Sequence, residues 1–379
     1  MGMIIEHRTG LTRPIVVSPP GAIFDTYGLL PVIIPGSIGM VSSLMCLSVS
    51  TEYYQFLLSF GVLGGLSACC LFTPSVATIG HWFNKRQGLA TGLACTAGGI
   101  GGILFSFITL YLAPAIGFPW TMRIIAFISL VLCSVACLTL QTRPPTVLEP
   151  AQGEKKKKKP NLLATLRRAI DLKPLAHDRA YLTTTLAVFL IEFAVFLPIT
   201  YLPAAALATG PESSRITPQN AYRLIALLNA GSVPGRALPN YLSDTFGRFN
   251  VMILTALVCT ILIFGIWLPP TVLDVANEPA LTAFAVLFGF WSGAAISLTP
   301  VCIAQVSKVE AIGRRVGTSF SISSFGALVG VPIGGAIVDA SGGGFTGLVV
   351  FSGCFYILAL GGFVVARFVA GPKEIAAVF

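Results

Sequence analysis

Chemistry needs ionisable or nucleophilic side chains brought together, and this chain offers few. Of its 379 residues, 10% are charged and 55% are hydrophobic, against about 25% charged in an ordinary soluble domain. Two charged residues lie well inside long apolar stretches, away from the stretch ends: Glu192 and Arg236. An arginine in that setting costs at least about 2.5–3.5 kcal/mol on insertion scales, so it must face protein or water. Arg236 belongs to a stripe: Asn229, Ser232, Arg236, Asn240 and Asp244 recur at helical spacing and share one face. Arg236 on that face is placed to make a structural ion pair. Glu192 is the natural partner. At about 1.5 Å per residue the two depths differ by about 7 Å, within reach of two long side chains. Protonation of such a pair, or substrate bound to it, would bias one of two conformations. Trp291 sits in mid-span near Ser292 and Ser297, where it either lines a cavity or packs.

Other site chemistries lack material. The nine Cys lie in apolar stretches and form no CxxC pair, which fits small buried hydrophobes rather than zinc ligands or disulfides. His7, His81 and His177 fall in connecting segments, so neither a buried metal site nor a Ser-His-Asp triad is expected. GxxxG pairs such as Gly88/Gly92, Gly98/Gly102, Gly231/Gly235 and Gly326/Gly330 lack the Lys-Ser/Thr of a phosphate loop and read as helix contacts. The expectation is no enzyme, no cofactor and no metal.

The elements that must position these residues are membrane helices. A span needs about 20 predominantly apolar residues. Ten such stretches run near 29–49, 55–80, 89–116, 123–140, 181–207, 219–242, 250–267, 281–306, 316–338 and 345–369. A piece at Pro14–Phe24 is too short and too broken by proline to span. Met1 to Arg13 lack the apolar run of a signal peptide. The chain divides into a stub with a loop signature (1–28), an incomplete first helical half (29–140), a connection (141–180), a six-helix second half (181–369) and a tail (370–379). The fold class expected is all-α, a polytopic membrane protein of about ten helices, four plus six. Pro198, Pro203 and Pro332 are expected to kink their helices.

The net charge of +9 supplies the orientation. Lys85, Arg86, the basic connection, Arg248, Lys308, Arg314, Arg315, Arg367 and Lys373 all fall on one side of the alternating spans, with Arg8 and Arg13. Arg123, Arg215 and Arg223 fall on the other. The richer side is cytoplasmic by the positive-inside rule, which places the long connection and the C-terminus there. Charge distributed in this way does not make a nucleic-acid face. The run Lys155–Lys159 reads as a lipid-surface determinant. Leu162, Leu163, Leu166 and Ile170 recur at the spacing of an amphipathic helix on the inner leaflet. Trp82, Trp120 and Trp267 sit at span ends and read as interface anchors.

The two sides of the connection repeat each other. Asp25-Thr-Tyr-Gly28 recurs as Asp244-Thr-Phe-Gly247, 219 residues on. Thr73-Pro74 recurs as Thr299-Pro300 at 226, Lys85-Arg86 as Arg314-Arg315 at 229, and Gly98/Gly102 as Gly326/Gly330 at 228. Same-sense repeats point to a transporter of two parallel halves. In the second half two spans precede the Asp-Thr-Phe-Gly turn, but in the first only the stub does. Two helices of the expected six are therefore missing ahead of residue 29. A glycine suits each tight turn. Each Asp can accept from helix N-termini or from a neighbouring Arg.

These strings carry a resemblance. Gly21-Ala-Ile-Phe-Asp25-Thr-Tyr-Gly28 is similar to the loop signature of the major facilitator superfamily. Leu71 to Pro74, His81 to Gly92 and Gly98 to Gly102 resemble the fourth and fifth helices of fungal monocarboxylate-transporter-like members. So do Asn229 to Arg236 and Asp244 to Arg248 in the eighth helix and its loop. The resemblance implies a transporter of a small organic solute, monocarboxylate-like or a secondary metabolite, working by alternating access without a cofactor. It implies gating loops at Asp25, Gly28, Lys85, Arg86, Asp244, Gly247, Arg248, Arg314 and Arg315. It also implies a substrate or coupling site among Glu192, Arg236, Asn229, Ser232 and Trp291. Proton coupling stays open. The family's first-helix lysine has no counterpart here, Ser232 stands where animal members place Asp, and Asn240 stands where the second signature has Gly. The expected state is a monomer in the lipid bilayer, in the plasma membrane ahead of an internal one. The alternative is a truncated, non-transporting relative.

Overall fold

The computed structural model describes residues 19–83, 85–140, 175, 177–210, 216–275 and 277–371. The lysine run, the amphipathic segment after it, Arg8, Arg13, Arg215 and Lys373 lie outside the described residues, as does the start of the stub. What is described is helical. The first half holds α1 (Pro19–Tyr27), α2 (Leu30–Val49), α3 (Gly65–Trp82), α4 (Gln87–Ile116) and α5 (Phe118–Thr139). The second holds α6 (Arg179–Ala208), α7 (Pro218–Phe246), α8 (Arg248–Leu262), α9 (Glu278–Gln305), α10 (Ile312–Ala340) and α11 (Thr346–Ala370). A π-helical stretch, Leu57–Gly64, leads into α3, and another, Ile263–Trp267, extends α8. Among the described residues nine helical stretches are long and apolar enough to cross a membrane. The expected tenth, α7, is 29 residues long but carries the polar stripe along one face.

The helices start and stop where local chemistry dictates. Asp178, Thr217 and Asn277 cap α6, α7 and α9 by accepting from backbone N–H groups of the first turn. The two repeated turns are matched in backbone geometry. Gly28 has φ +93° and Gly247 has φ +90°, a region that favours glycine. Pro198 and Pro203 lie inside α6 and Pro332 inside α10.

The two halves are unequal. In the second, α6 lies across α10 and α11, and α7 lies along α9. The packing of α7 on α9 is backbone against backbone. A β-carbon on Gly231 would strike the Val286 carbonyl, one on Gly235 the Phe290 backbone, and one on Gly289 the Leu228 backbone. Small residues at these positions let the helices approach closely. Among the described residues nothing in the first half corresponds to α6, and α1 matches only the last turns of α7.

Two sequence expectations change. Trp267 does not sit at an interface: it is fully buried, stacked on Phe284 at 5.3 Å, because the π-helical turn carries it into the core. Trp82 and Trp120 are exposed. The repeat register also moves by about one helical turn. Gly88 occupies the place of Gly313, an offset of 225, so Lys85-Arg86 and Arg314-Arg315 are not equivalent. Like charge at similar spacing had suggested the wrong pairing.

Candidate functional site

The site is built at one end of the bundle, where α4, α8 and α10 begin and Lys85, Arg86, Arg248, Lys308, Arg314 and Arg315 gather. We call it the basic end. A helix N-terminus presents N–H groups that no preceding carbonyl satisfies, and a partial positive charge. The Asp244 carboxylate of α7 accepts from Gly88 N at 2.8 Å and Leu89 N at 2.9 Å, the start of α4. The Asp25 carboxylate of α1 accepts from Gly313 N at 3.1 Å and Arg314 N at 2.7 Å, the start of α10. Each half thus supplies one carboxylate and one helix start, and each carboxylate is held by the opposite half. The glycines make room: a β-carbon on Gly88 or Gly313 would meet the Asp oxygen it faces.

The surroundings of the two pairs differ. Around Asp25, Gly21 brings the α1 backbone onto Gly313. At the matching place in α7 stands Asn240, fully buried, donating to the Arg236 carbonyl at 2.7 Å and to Ser297 Oγ at 2.6 Å. The start of α10 is further tied within its own half. Arg315 pairs with Asp178 at 2.8 Å, donates to the Val306 carbonyl at 2.7 Å and lies over the Tyr181 ring at 4.6 Å. The Tyr181 hydroxyl donates back to the Arg315 carbonyl at 2.9 Å. Asp178 and Tyr181 were not singled out from sequence, because both follow the charged connection and look like ordinary helix-start residues.

Burial pushes the Asp25 carboxyl up to about 7, and the Arg314 and Gly313 N–H groups only partly oppose it. Released into water, the carboxyl returns toward the ordinary value near 4. Between about pH 4 and pH 7 the joined form therefore binds more protons than the parted form. Linkage then favours the joined form as pH falls and disfavours it as pH rises through about 7. We expect the fraction closed at the basic end to rise between pH 7.5 and pH 5 (both values about). Spin-label distances across that end check this, and Asp25→Asn should flatten the response.

The polar stripe of α7 faces the glycines of α4. Asn229 lies against Gly102, Ser232 against Gly99, Arg236 against Gly98, and Asn240 against Gly92. Arg236 Nη1 donates to the Cys95 carbonyl at 2.7 Å, and its Nε is buried with no acceptor. The expected ion pair with Glu192 is not made. The bundle does make an ion pair between Arg315 and Asp178. Glu192 turns away from the stripe into the second half, where Thr299 and Tyr356 lie near it. α6 presents Glu192 to α9 and α11 rather than to α7. The effects of Glu192→Gln and Arg236→Gln on membrane abundance are therefore expected to add within about 0.5 kcal/mol, as for separate sites. Folding equilibria of the single and double variants measure this.

Lys85 and Arg86 are exposed, Arg248 lies within electrostatic reach of Asp244, and Trp291 is half-buried against Phe290 at 5.3 Å. Among the described residues no His/Cys/Asp/Glu cluster could hold a metal.

Residues 14–276 match the family model described as Major Facilitator Superfamily. The chain is 37% identical over 354 residues to "MFS-type transporter 1" of Ophiocordyceps sp., covering 93% of this chain and 73% of that protein. It is 34% identical to the "Fujikurins efflux protein" of Gibberella fujikuroi, covering 88% and 66%. Its fold resembles the crystal structure of FucP, a major facilitator transporter in the outward conformation. There the TM-score is 0.68 at 14% identity, over 94% of this chain and 87% of that one.

Proposed function

The chain belongs to the major facilitator superfamily, and from that premise we propose that it moves a small organic solute across the membrane by alternating access. One observation carries the reading. The two halves are joined at the basic end by a reciprocal pair of carboxylate-to-helix contacts, each made across the seam rather than within one half. Asp25 and Asp244 are then the latches. Gly28 and Gly247 shape the turns beneath them, and Arg248, Arg314 and Arg315 set the local field, with Lys85 and Arg86 exposed beside it. The basic end faces the cytoplasm, and the plasma membrane is the favoured location. In this conformation access would lie on the opposite side.

The substrate side of the proposal rests on α7. Arg236 has an unfilled Nε, with Asn229 and Ser232 on the same face, which suits a carboxylate or another anionic group. The strings shared with the monocarboxylate-transporter-like branch favour an organic acid. The similarity to the "Fujikurins efflux protein" favours export. Expression in a host lacking endogenous carriers, with a panel of carboxylates and hydrophobic metabolites, tests both. Net movement of a panel member, reduced by Arg236→Gln, supports transport. No movement of any solute beyond the empty host sinks it.

A further inference from the structure

Arg236 is engaged across the seam between the halves. Its Nη1 reaches from α7 to the Cys95 carbonyl of α4 at 2.7 Å. A β-carbon at Gly98 would collide with that same nitrogen, so the guanidinium occupies a notch that glycine leaves open. Cys95 lies inside α4, where its carbonyl has a helical donor in turn and needs no second one. The contact therefore serves the arginine. It is also incomplete: among the described residues no carboxylate pairs with Arg236, and Nε has no acceptor. A cation in mid-bundle is thus held by one neutral oxygen of the opposite half. Eight residues along the same face, roughly 12 Å at helical rise, stands the Asp244 latch.

We propose that Arg236 is a strap between the halves: seated in the Gly98 notch on the Cys95 carbonyl, it holds the basic end shut and must leave that seat before the end opens. The proposal rests on the alternating-access reading. It adds to the Asp25 and Asp244 contacts a third tie, set deeper in the bundle. When the halves part, the Gly98 notch moves away from α7 and the guanidinium loses its acceptor. The charge then needs water or a ligand.

Hydrogen exchange on the full chain in lipid nanodiscs tests this. The amides of Gly88 and Leu89 are covered by Asp244, and those of Gly313 and Arg314 by Asp25. Parting of the halves uncovers all four. Arg236→Gln removes the charge, and Gly98→Ala fills the notch while leaving the arginine in place. Each is expected to speed exchange at all four amides by roughly tenfold to a hundredfold, the loss of one hydrogen bond to a charged group. Arg236→Lys, which keeps a donor, should fall between. Wild-type rates at Gly313 and Arg314 in both Arg236→Gln and Gly98→Ala overturn the strap. Asp244→Asn separates the two ideas. If it speeds exchange at Gly313 and Arg314 while the strap variants do not, the strap fails and the latches stand. If it too leaves them unchanged, alternating access at this end fails with it.

Discussion

Replacing Asp25 and Asp244 together with asparagine is expected to cut net transport about tenfold or more while leaving membrane abundance unchanged. Each carboxylate accepts two N–H groups at a helix start. An asparagine can accept through one oxygen only, and its amide nitrogen then points donor against donor. At each site one backbone N–H is left facing a donor, and a buried unsatisfied group of this kind costs about 1–3 kcal/mol. The two sites share no residues, so their losses should nearly add. The variant should dwell with the basic end open and fail to complete the cycle. Asp244→Asn alone should show a smaller fall. Uptake or efflux of the panel solutes, set against surface abundance, reads the result. Unchanged transport in the double variant would remove the latches from the mechanism.

Gly235→Val is expected to do the opposite kind of damage. It should leave little correctly assembled protein rather than a full complement of idle protein. The new side chain would overlap the Phe290 backbone, and a backbone cannot swing aside as a side chain does. Overpacking costs about 1–3 kcal/mol where neighbours can adjust, and more where they cannot. Against a total stability of about 5–15 kcal/mol that is a large share. Gly361→Ala is the control, since nothing lies within 4 Å of a β-carbon there. Monodisperse protein recovered in mild detergent measures both. Full recovery of Gly235→Val would mean that the α7–α9 contact is looser than drawn.

Much of this was legible in the sequence. The apolar runs gave the ten helices within a few residues, because lipid leaves the backbone little choice but helix. The Asp-Thr-Tyr-Gly and Asp-Thr-Phe-Gly turns pointed to Asp25 and Asp244 as a pair. What each Asp would touch was not legible. Backbone N–H groups carry no residue signature, so Gly88 reads as a packing glycine, Gly313 has no mark of its own, and the neighbouring Lys and Arg stand out instead. The direction of Glu192 was also hidden. A single acid in a helix with apolar residues on every face gives no stripe to orient it, whereas Arg236 sits in one and was placed on the right face. Trp267 was misread for a related reason: span ends mark interfaces only while the helix stays regular, and the π-helical turn alters which side faces inward.

The two long seams of α7 differ in what they would expose if they parted. Along α9 the helices meet backbone to backbone through Gly231, Gly235 and Gly289, and separation would lay bare close-packed main chain in an apolar setting. Along α4 one side is glycine and the other is Asn229, Ser232, Arg236, Asn240 and Asp244. Water entering that second seam would find groups it already solvates well, so opening there forfeits little apolar burial. On the α7 side of the divide, polarity thus draws a line along which the molecule can be wetted, while the α1–α10 side closes backbone to backbone at Gly21 and Gly313.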